Sequence, residues 1–560
     1  MLKKNERVTI EIEDISRNGE GIGKADGFAL FVKDTVPGDL AEVSVMKLKK
    51  TYGYARLVRV VSPSPDRTEA PCPLAVPCGG CQLQAMAYEK QLVLKEKIVR
   101  DALERIGGIP DDILAGVMKD IVPSDPYLRY RNKAIYPVGN DKNGNPVAGF
   151  YAAHSHRIIP CADCLLGPKE NRKILETILG WMEVHQISAY DESAGTGLLR
   201  HIFLRRSRME GRYQLCLIVN GDTIPYWKEL RVQLDGLKTE SGESLIKGAA
   251  YSVNTKDTNV IFGSVVKTLW GDPDLTDSLH AEKYGISVHY RISPASFYQV
   301  NPGIAEKMYE EVLELAGLTG NETVFDLYCG TGTISLFLAA GAQRVIGVEV
   351  VPEAVRNARE NARLNQIENA EFLEGKAEEI VPELLRAEGV RADVVVVDPP
   401  RKGCDETLLK TIVSISPEKL IYVSCDPATL ARDLKYLIAE GYRLQSIRPY
   451  DQFAMSMHVE TVCLLSQRKP DTTIEVDLDI SELEVSSAET KATYEEIKSY
   501  VLKKYGLKVS NLYIAQVKRE CGIVERINYN LPKTEGNRVP QCPEDKRKAI
   551  KDAFIHFQMI

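Results

Sequence analysis

The hydrophobic positions of this chain change period several times. Near the amino terminus, Val8 to Glu13, Phe28 to Val32, Leu40 to Val45 and Tyr54 to Val60 alternate apolar and polar residues, the period of a half-buried strand. Gly19, Gly21, Gly23, Pro37 and Gly38 separate these runs, and five or so short strands with such turns predict a small OB-like barrel over residues 1–65. A strand-rich central region follows over 66–290. Over 291–469 the runs become solid and β-branched: Val324-Phe325-Asp326-Leu327-Tyr328, Arg344 to Glu349, Val394-Val395-Val396-Val397 and Leu420-Ile421-Tyr422-Val423. Continuous apolar runs mark parallel strands buried on both faces, and helical stretches such as Ile334 to Ala340 between them predict an α/β, Rossmann-like domain. Residues 470–490 are acidic, contain Ser and Thr, show neither period, and read as a linker. Beyond them, amphipathic segments beginning at Tyr494, Asn511 and Pro543 predict a small helical appendage over 491–560.

Chemistry gathers at the ends of the buried strands. Asp326-Leu327-Tyr328-Cys329-Gly330-Thr331-Gly332-Thr333 ends one strand in a glycine loop, and Glu349 ends the next about 20 residues on, where a ribose needs an acceptor. A dinucleotide remains compatible with this pattern, but the full G-x-G-x-x-G is absent, and Asp326 before the turn favours S-adenosylmethionine. Asp398-Pro399-Pro400-Arg401 ends a third strand in a carboxylate. The strand Leu420 to Ser424 ends in Cys425, with Pro427 opening a helix. Parallel strands bring their carboxyl ends to one rim, so loop, carboxylate and thiol converge there.

That thiol selects among methyl-transfer chemistries. An exocyclic amine needs no covalent activation, whereas C5 of uracil is too weak a nucleophile to take a methyl group directly. A thiolate adding to C6 leaves carbanion character at C5, and a base must then remove the C5 proton. Glu460 is placed to do so, opening an apolar terminal strand in Met457-His458-Val459-Glu460-Thr461-Val462-Cys463. His458 would share its face if that stretch is all strand.

With these motifs, residues 5 to 468 resemble the RNA (uracil-C5)-methyltransferase family, in its iron–sulfur, TRAM-bearing branch that acts on 23S rRNA. The resemblance implies a class I methyltransferase domain with Cys425 as nucleophile and Glu460 as base. It implies that Gln299 (in Ser296-Phe297-Tyr298-Gln299-Val300-Asn301), Tyr328, Glu349 and Asp398 contact the S-adenosyl-L-methionine. Two positions depart from the family pattern, Asp426 for a common Asn and Ala454 for a common Pro. An acid beside Cys425 would raise its pKa. The tRNA branch of the family typically lacks the barrel and the cluster cysteines; a noncatalytic RNA-binding or assembly factor would not need Cys425, Glu460, Asp398 and Glu349 together.

Composition sets the frame. The 560 residues are 44% hydrophobic and 27% charged, enough for several domains with cores. A net charge of −7 does not advertise nucleic-acid binding, so RNA contact must come from local patches. There is no membrane-spanning apolar run and no signal peptide, which predicts a cytoplasmic protein, expected to act as a monomer on RNA. Lys47, Lys49 and Lys50 beside Tyr52 and Tyr54 suit single-stranded RNA. Basic residues along Tyr127 to Lys133 and Leu199 to Arg206 face either a phosphate backbone or solvent, and His154, His156 and His201 read as structural. The tail carries Lys503, Lys504, Lys518, Arg519, Lys546, Arg547 and Lys548, which suits either an RNA-contact module or a solvated surface.

Twelve cysteines in a cytoplasmic chain should be reduced or metal-bound. Cys72, Cys78 and Cys81 form C-x5-C-x2-C, and Cys161-Ala162-Asp163-Cys164 adds a remote pair. Spacing alone leaves zinc and an iron–sulfur cluster equally open. The family resemblance implies a [4Fe–4S] cluster on Cys72, Cys78, Cys81 and Cys161, with Cys164 spare.

Overall fold

The computed structural model describes residues 2–153, 155–258, 260–387, 389–467, 494–521 and 542–557. The expected linker at 470–490 lies outside the described residues. The chain divides into two compact units, Met1–Asp471 and Thr472–Ile560.

The first unit begins with a closed barrel of β1 (Arg7–Ile15), β2 (Gly21–Ala25), β3 (Phe28–Val32), β4 (Leu40–Leu48) and β5 (Tyr52–Ser62), in the order β1-β2-β3-β5-β4. Its core is Ile10, Ile12, Leu30, Val32, Val43 and Val45. Gly19 and Gly38 fall between strands as expected, whereas Gly21 and Gly23 lie inside β2. A Cβ on Gly21 would fall 2.1 Å from the Thr35 hydroxyl, and one on Gly23 would fall 2.4 Å from the Glu11 carbonyl. Glycine in this strand therefore serves close approach of backbone and neighbour.

Helices α1 (Tyr88–Arg105) and α2 (Asp111–Val117) lead into a sheet of seven strands. Its strands are β6 (Lys133–Asn140), β7 (Pro146–Tyr151), β8 (Ile158–Pro160), β9 (Leu199–Arg206), β10 (Tyr213–Val219), β11 (Ile246–Val253) and β12 (Val266–Gly271), in the order β12-β11-β10-β9-β6-β7-β8. Helices α3 (Asn171–Val184) and α4 (Trp227–Asp235) cover one face through Ile174, Ile178, Trp181 and Leu230.

The basic segments read from sequence are corrected here. Residues 127–132 are not a strand, and β9 lies in the middle of the sheet with Arg200 and Arg205 buried. Arg200 donates to the carbonyls of Asn254 and Lys256 at 2.8 and 2.9 Å. Arg205 donates to those of Ser293 and Ser296 at 3.0 and 2.7 Å. A buried guanidinium needs such acceptors, so these two cations clamp neighbouring loops and face neither phosphate nor solvent. His201 is buried in the same strand, and burial pushes its imidazole down to about 4, keeping it neutral.

A hairpin, β13 (Leu275–Ala281) and β14 (Ile286–Ile292), joins this sheet to the α/β domain. That domain runs α5 (Pro302–Ala316), β15 (Thr323–Leu327), α6 (Thr333–Ala339), β16 (Arg344–Glu349), α7 (Pro352–Leu364), β17 (Ala370–Glu374), α8 (Ala377–Ala387), β18 (Val394–Val397), α9 (Glu406–Ile415), β19 (Lys419–Ser424), α10 (Pro427–Ala439), β20 (Tyr442–Tyr450) and β21 (Glu460–Gln467). The sheet order is β17-β16-β15-β18-β19-β21-β20. Five strands are parallel, and β21 inserts antiparallel between β19 and β20. Each face has its own core. One forms around Tyr309, Phe337 and Phe372, the other around Phe325, Leu408, Leu430 and Leu434, to which α1 adds Val99 and Leu103.

The second unit contains α11 (Tyr494–Tyr505), α12 (Asn511–Glu520) and α13 (Glu544–His556). Ile497, Val501, Ile514, Val517, Ile550 and Phe554 give it a core of its own. Among the described residues no helix is long and apolar enough to cross a membrane.

Candidate active site

The carboxyl ends of β15, β16, β18 and β19 form one rim. After β15, Tyr328 takes a left-handed φ of 77°, and Gly330 and Gly332 follow at 56° and 81°. A Cβ on Gly330 would meet nothing within 4 Å, so the loop is open on that side, whereas one on Gly332 would lie 3.0 Å from the Phe372 ring. The amides of Tyr328 and Cys329 donate to the Val348 carbonyl at 3.0 and 3.1 Å, tying the loop to β16. Glu349 is held at the end of that strand. One of its oxygens accepts from the Gly330 amide at 3.2 Å and the other from Val351 at 2.9 Å.

Two further carboxyls stand behind this loop. Asp326 is buried, with one oxygen accepting from the Ser335 hydroxyl at 2.5 Å and the other lacking a hydrogen-bond partner. Burial pushes it up to about 7 against the pull of that hydroxyl. Asp398, one residue beyond β18, is also pushed up to about 7, by burial and then by the charge of Asp326. Gln299, just before α5, is buried; its side-chain oxygen accepts from the Gln452 amide at 2.9 Å, and its carbonyl accepts from Asn132 at 2.9 Å.

Cys425 lies one step past β19 and is half-buried. In the antiparallel ladder Ser424 stands opposite Thr461, so the next step sets Cys425 across from Glu460. Burial first, then the negative charges of Glu460 and Asp398, push the thiol up to about 11, with Arg401 opposing them. Glu460 is itself buried and pushed up to about 8, by burial and then Asp398, again against Arg401. The structure thus brings together Cys425, Glu460 and Asp398 and adds Arg401, a cation that sequence reading did not single out for this role.

Asp426 behaves differently from the expectation of an acid that disturbs the thiol. One oxygen caps α10, accepting from Ala428 and Thr429 amides at 3.0 and 3.1 Å, and the other pairs with Arg17 of the barrel. The acids that raise the thiol are Glu460 and Asp398. His458 lies outside β21, which begins at Glu460, so the shared strand face does not exist. It is exposed on the rim, with its ring centroid 6.0 Å from that of Phe453.

The segment before Glu460 is held by residues that sequence reading missed. Lys95 and Asp451 form a fully buried ion pair, Tyr88 donates to Asp451 at 2.7 Å, and Lys95 also reaches the Phe453 carbonyl at 3.1 Å. Tyr130 donates to the Ala454 carbonyl at 3.1 Å. The Met455 carbonyl accepts from the amides of Gln82 and Leu83 at 3.0 and 3.1 Å, directly after Cys81. The signal was present: Lys95 sits on the face of α1 that also buries Gln91, Leu94, Val99 and Leu103, where a lone lysine requires a buried partner.

The remote cysteines converge as well. Cys72, Cys78, Cys81, Cys161 and Cys164 line a cavity of about 330 Å³ together with Gln84 and Arg131. Burial pushes the thiols of Cys81 and Cys161 up to about 12. The charges of the neighbouring thiols push in the same direction as burial. Among the described residues no group of three or more His, Cys, Asp or Glu side chains is drawn close enough to hold a metal ion.

Known proteins share this architecture. The tRNA (Uracil-5-)-methyltransferase family matches residues 257–468, and the TRAM domain family matches residues 2–58. An RNA methyltransferase of Halalkalibacterium halodurans is 45% identical over 464 residues, covering 83% of this chain and 98% of its own length. One from Clostridium acetobutylicum is 43% identical over 466 residues, again 83% of this chain and 98% of that protein. Among solved structures, the Pyrococcus abyssi tRNA (uracil-54, C5)-methyltransferase, in complex with S-adenosyl-L-homocysteine, superposes with a TM-score of 0.63 at 26% identity, covering 82% of this chain and all of that one. With that coverage and identity, on a barrel and sheet built as described, this chain belongs to the RNA uracil-5-methyltransferase family and carries a TRAM domain at its amino terminus.

Proposed function

We propose that this protein methylates C5 of uridine in 23S rRNA through a covalent adduct between Cys425 and C6 of the base. The observation that carries the mechanism is the end of the β19–β21 ladder: its last pair is Ser424 and Thr461, Cys425 and Glu460 are the next residues on the two strands, and the charge of Glu460 acts on the thiol. Bound S-adenosyl-L-methionine supplies an electrophilic methyl group. Gln299, Tyr328, Glu349 and Asp398 would hold it, with Glu349 already oriented by two backbone amides. Cys425, as thiolate near the charge of Arg401, would add to C6, and the electron pair released to C5 would take the methyl carbon as its bond to the sulfonium sulfur breaks and S-adenosyl-L-homocysteine leaves. Glu460 then takes the C5 proton, the C5–C6 double bond re-forms, and the C6–S bond breaks to return the thiolate.

The five-cysteine cavity suits a [4Fe–4S] cluster in its donor set, since thiolates are the usual ligands. Cys72, Cys78, Cys81 and Cys161 would hold it, with Cys164, on the same cavity wall, left spare. Such a cluster would act by structure: the backbone just after Cys81 is bonded to Met455, on the approach to Glu460.

A second reading, tRNA as substrate, draws on the likeness to the Pyrococcus abyssi tRNA (uracil-54, C5)-methyltransferase. Mapping 5-methyluridine in rRNA and tRNA from cells with and without this gene separates the two. Loss of a 23S rRNA mark supports the proposal; loss of a tRNA mark alone replaces it.

A further inference from the structure

The barrel reaches into the methyl-transfer site. Arg17 lies in the turn between β1 and β2, and its guanidinium pairs with the carboxylate of Asp426, the residue after Cys425. The turn is packed in place: a Cβ on Gly19 would lie 2.6 Å from Gln82 and 3.3 Å from Met457. Ile15 and Val36 of the barrel share an apolar cluster with Leu83 and Met457. The tip of the barrel therefore forms part of the wall around the segment that leads to Glu460.

An acid at position 426 is a hazard to the reaction. A carboxylate next to a thiol disfavours the thiolate, and this thiol must ionise to attack. Here the hazard is met twice over, because one Asp426 oxygen is engaged by the first amides of α10 and the other by Arg17. Asp at a helix N-cap is well suited to the first task, and Asn would serve it equally. Only the second oxygen depends on the barrel.

We propose that Arg17 is a positioning residue for Cys425: it ties the barrel to the turn that carries the nucleophile and neutralises Asp426, so that barrel docking and nucleophile competence are a single event. This rests on the reading of Cys425 as the attacking thiol. The barrel then has two duties, contact with RNA and completion of the catalytic rim.

The test uses the full-length protein and its Arg17→Ala, Arg17→Lys, Asp426→Asn and Arg17→Ala/Asp426→Asn variants. The probe is 23S rRNA transcribed with 5-fluorouridine and given together with S-adenosyl-L-methionine: once C5 carries both methyl and fluorine it has no proton to lose, so the C6–S adduct persists and is counted on a denaturing gel. At saturating RNA and neutral pH, Arg17→Ala should form adduct about tenfold more slowly, the effect of raising a thiol pKa by about one. The deficit should shrink as pH rises, with KM for RNA little changed. Asp426→Asn loses the tie together with the charge, so it should fall less than Arg17→Ala, and adding it to Arg17→Ala should restore most of the rate. Arg17→Lys should keep part of it. Two results overturn the proposal: a higher KM with an unchanged saturated rate, which makes Arg17 an RNA phosphate contact, or no restoration by Asp426→Asn, which makes it a barrel anchor alone. An adduct that still forms in Cys425→Ala would instead overturn the choice of nucleophile.

Discussion

Replacing Glu460 by Gln separates the two halves of the proposed reaction. Glu460 is buried across from Cys425, and its carboxyl is pushed up to about 8. Below that value the carboxylate fraction rises about tenfold per pH unit, so release of product from the adduct should rise likewise and level off above about pH 8. Gln cannot take the proton. Loss of a positioned base typically costs about 10²- to 10⁴-fold, or roughly 3–5 kcal/mol in the barrier. Attack survives, because the substitution removes a negative neighbour of the thiol. A methylated protein–RNA adduct should accumulate, followed by quenched-flow and denaturing gels with a labelled methyl group, and its decay should lose the parental pH dependence. The same residue bears on stability. Its folded value lies above the ordinary 4.5, so its contribution is greatest below about 4.5 and is lost as pH rises to about 8, a few kcal/mol at most. Glu460→Gln should therefore unfold at higher denaturant than the parent at pH 9. Adduct resolving at the parental rate with the parental pH dependence would refute the assignment of Glu460 as base.

Other expectations follow from single contacts. Lys95→Met strands the buried Asp451 carboxylate and should cost about 3–5 kcal/mol in urea denaturation, with Lys95→Met/Asp451→Asn recovering most of it. Anaerobically purified protein should be brown with about four irons per chain if the cavity holds a cubane; serine at Cys72, Cys78, Cys81 or Cys161 should bleach it, serine at Cys164 should not, and stoichiometric zinc in colourless protein would refute the cluster. Deleting residues 475–560, which begin beyond the first compact unit, should leave that unit folded by thermal denaturation and turnover at saturating RNA intact. If the tail grips RNA, affinity should weaken and its salt dependence become shallower, whereas equal slopes would mark α11–α13 as a solvated appendage.

Much of this protein was legible in the order of its residues. Solid β-branched runs placed β15, β16, β18 and β19, because a strand buried on both faces has no position for a polar side chain. The chemistry at their ends was legible for the same reason: Asp398 and Cys425 are the first reactive groups after apolar runs, and Glu460 is the first residue of β21. Among the described residues of the second unit, α11, α12 and α13 bury Ile497, Val501, Ile514, Val517, Ile550 and Phe554 at local amphipathic spacing.

Errors arose where charge and burial part company. The arginines of β9 looked like an exposed basic stripe, but a strand in the middle of a sheet is covered on both edges, and its cations are satisfied by carbonyls from distant loops. The glycines of β2 looked like turn residues, because period alone cannot tell a glycine that bends the chain from one that admits a neighbour.

The sequence by itself determined which segments are strands and helices and which reactive groups sit at their ends, since both depend on the local alternation of apolar and polar side chains. Tertiary structure alone decided which of those groups meet. Cys425 and Glu460 come to the same end of the sheet because β21 turns back antiparallel between β19 and β20. Asp451 finds Lys95 across 356 positions of the chain, and Asp426 finds Arg17 across 409. Such pairs leave no period to read, because a carboxylate buried beside its cation is specified by the packing of two surfaces and not by its neighbours in sequence.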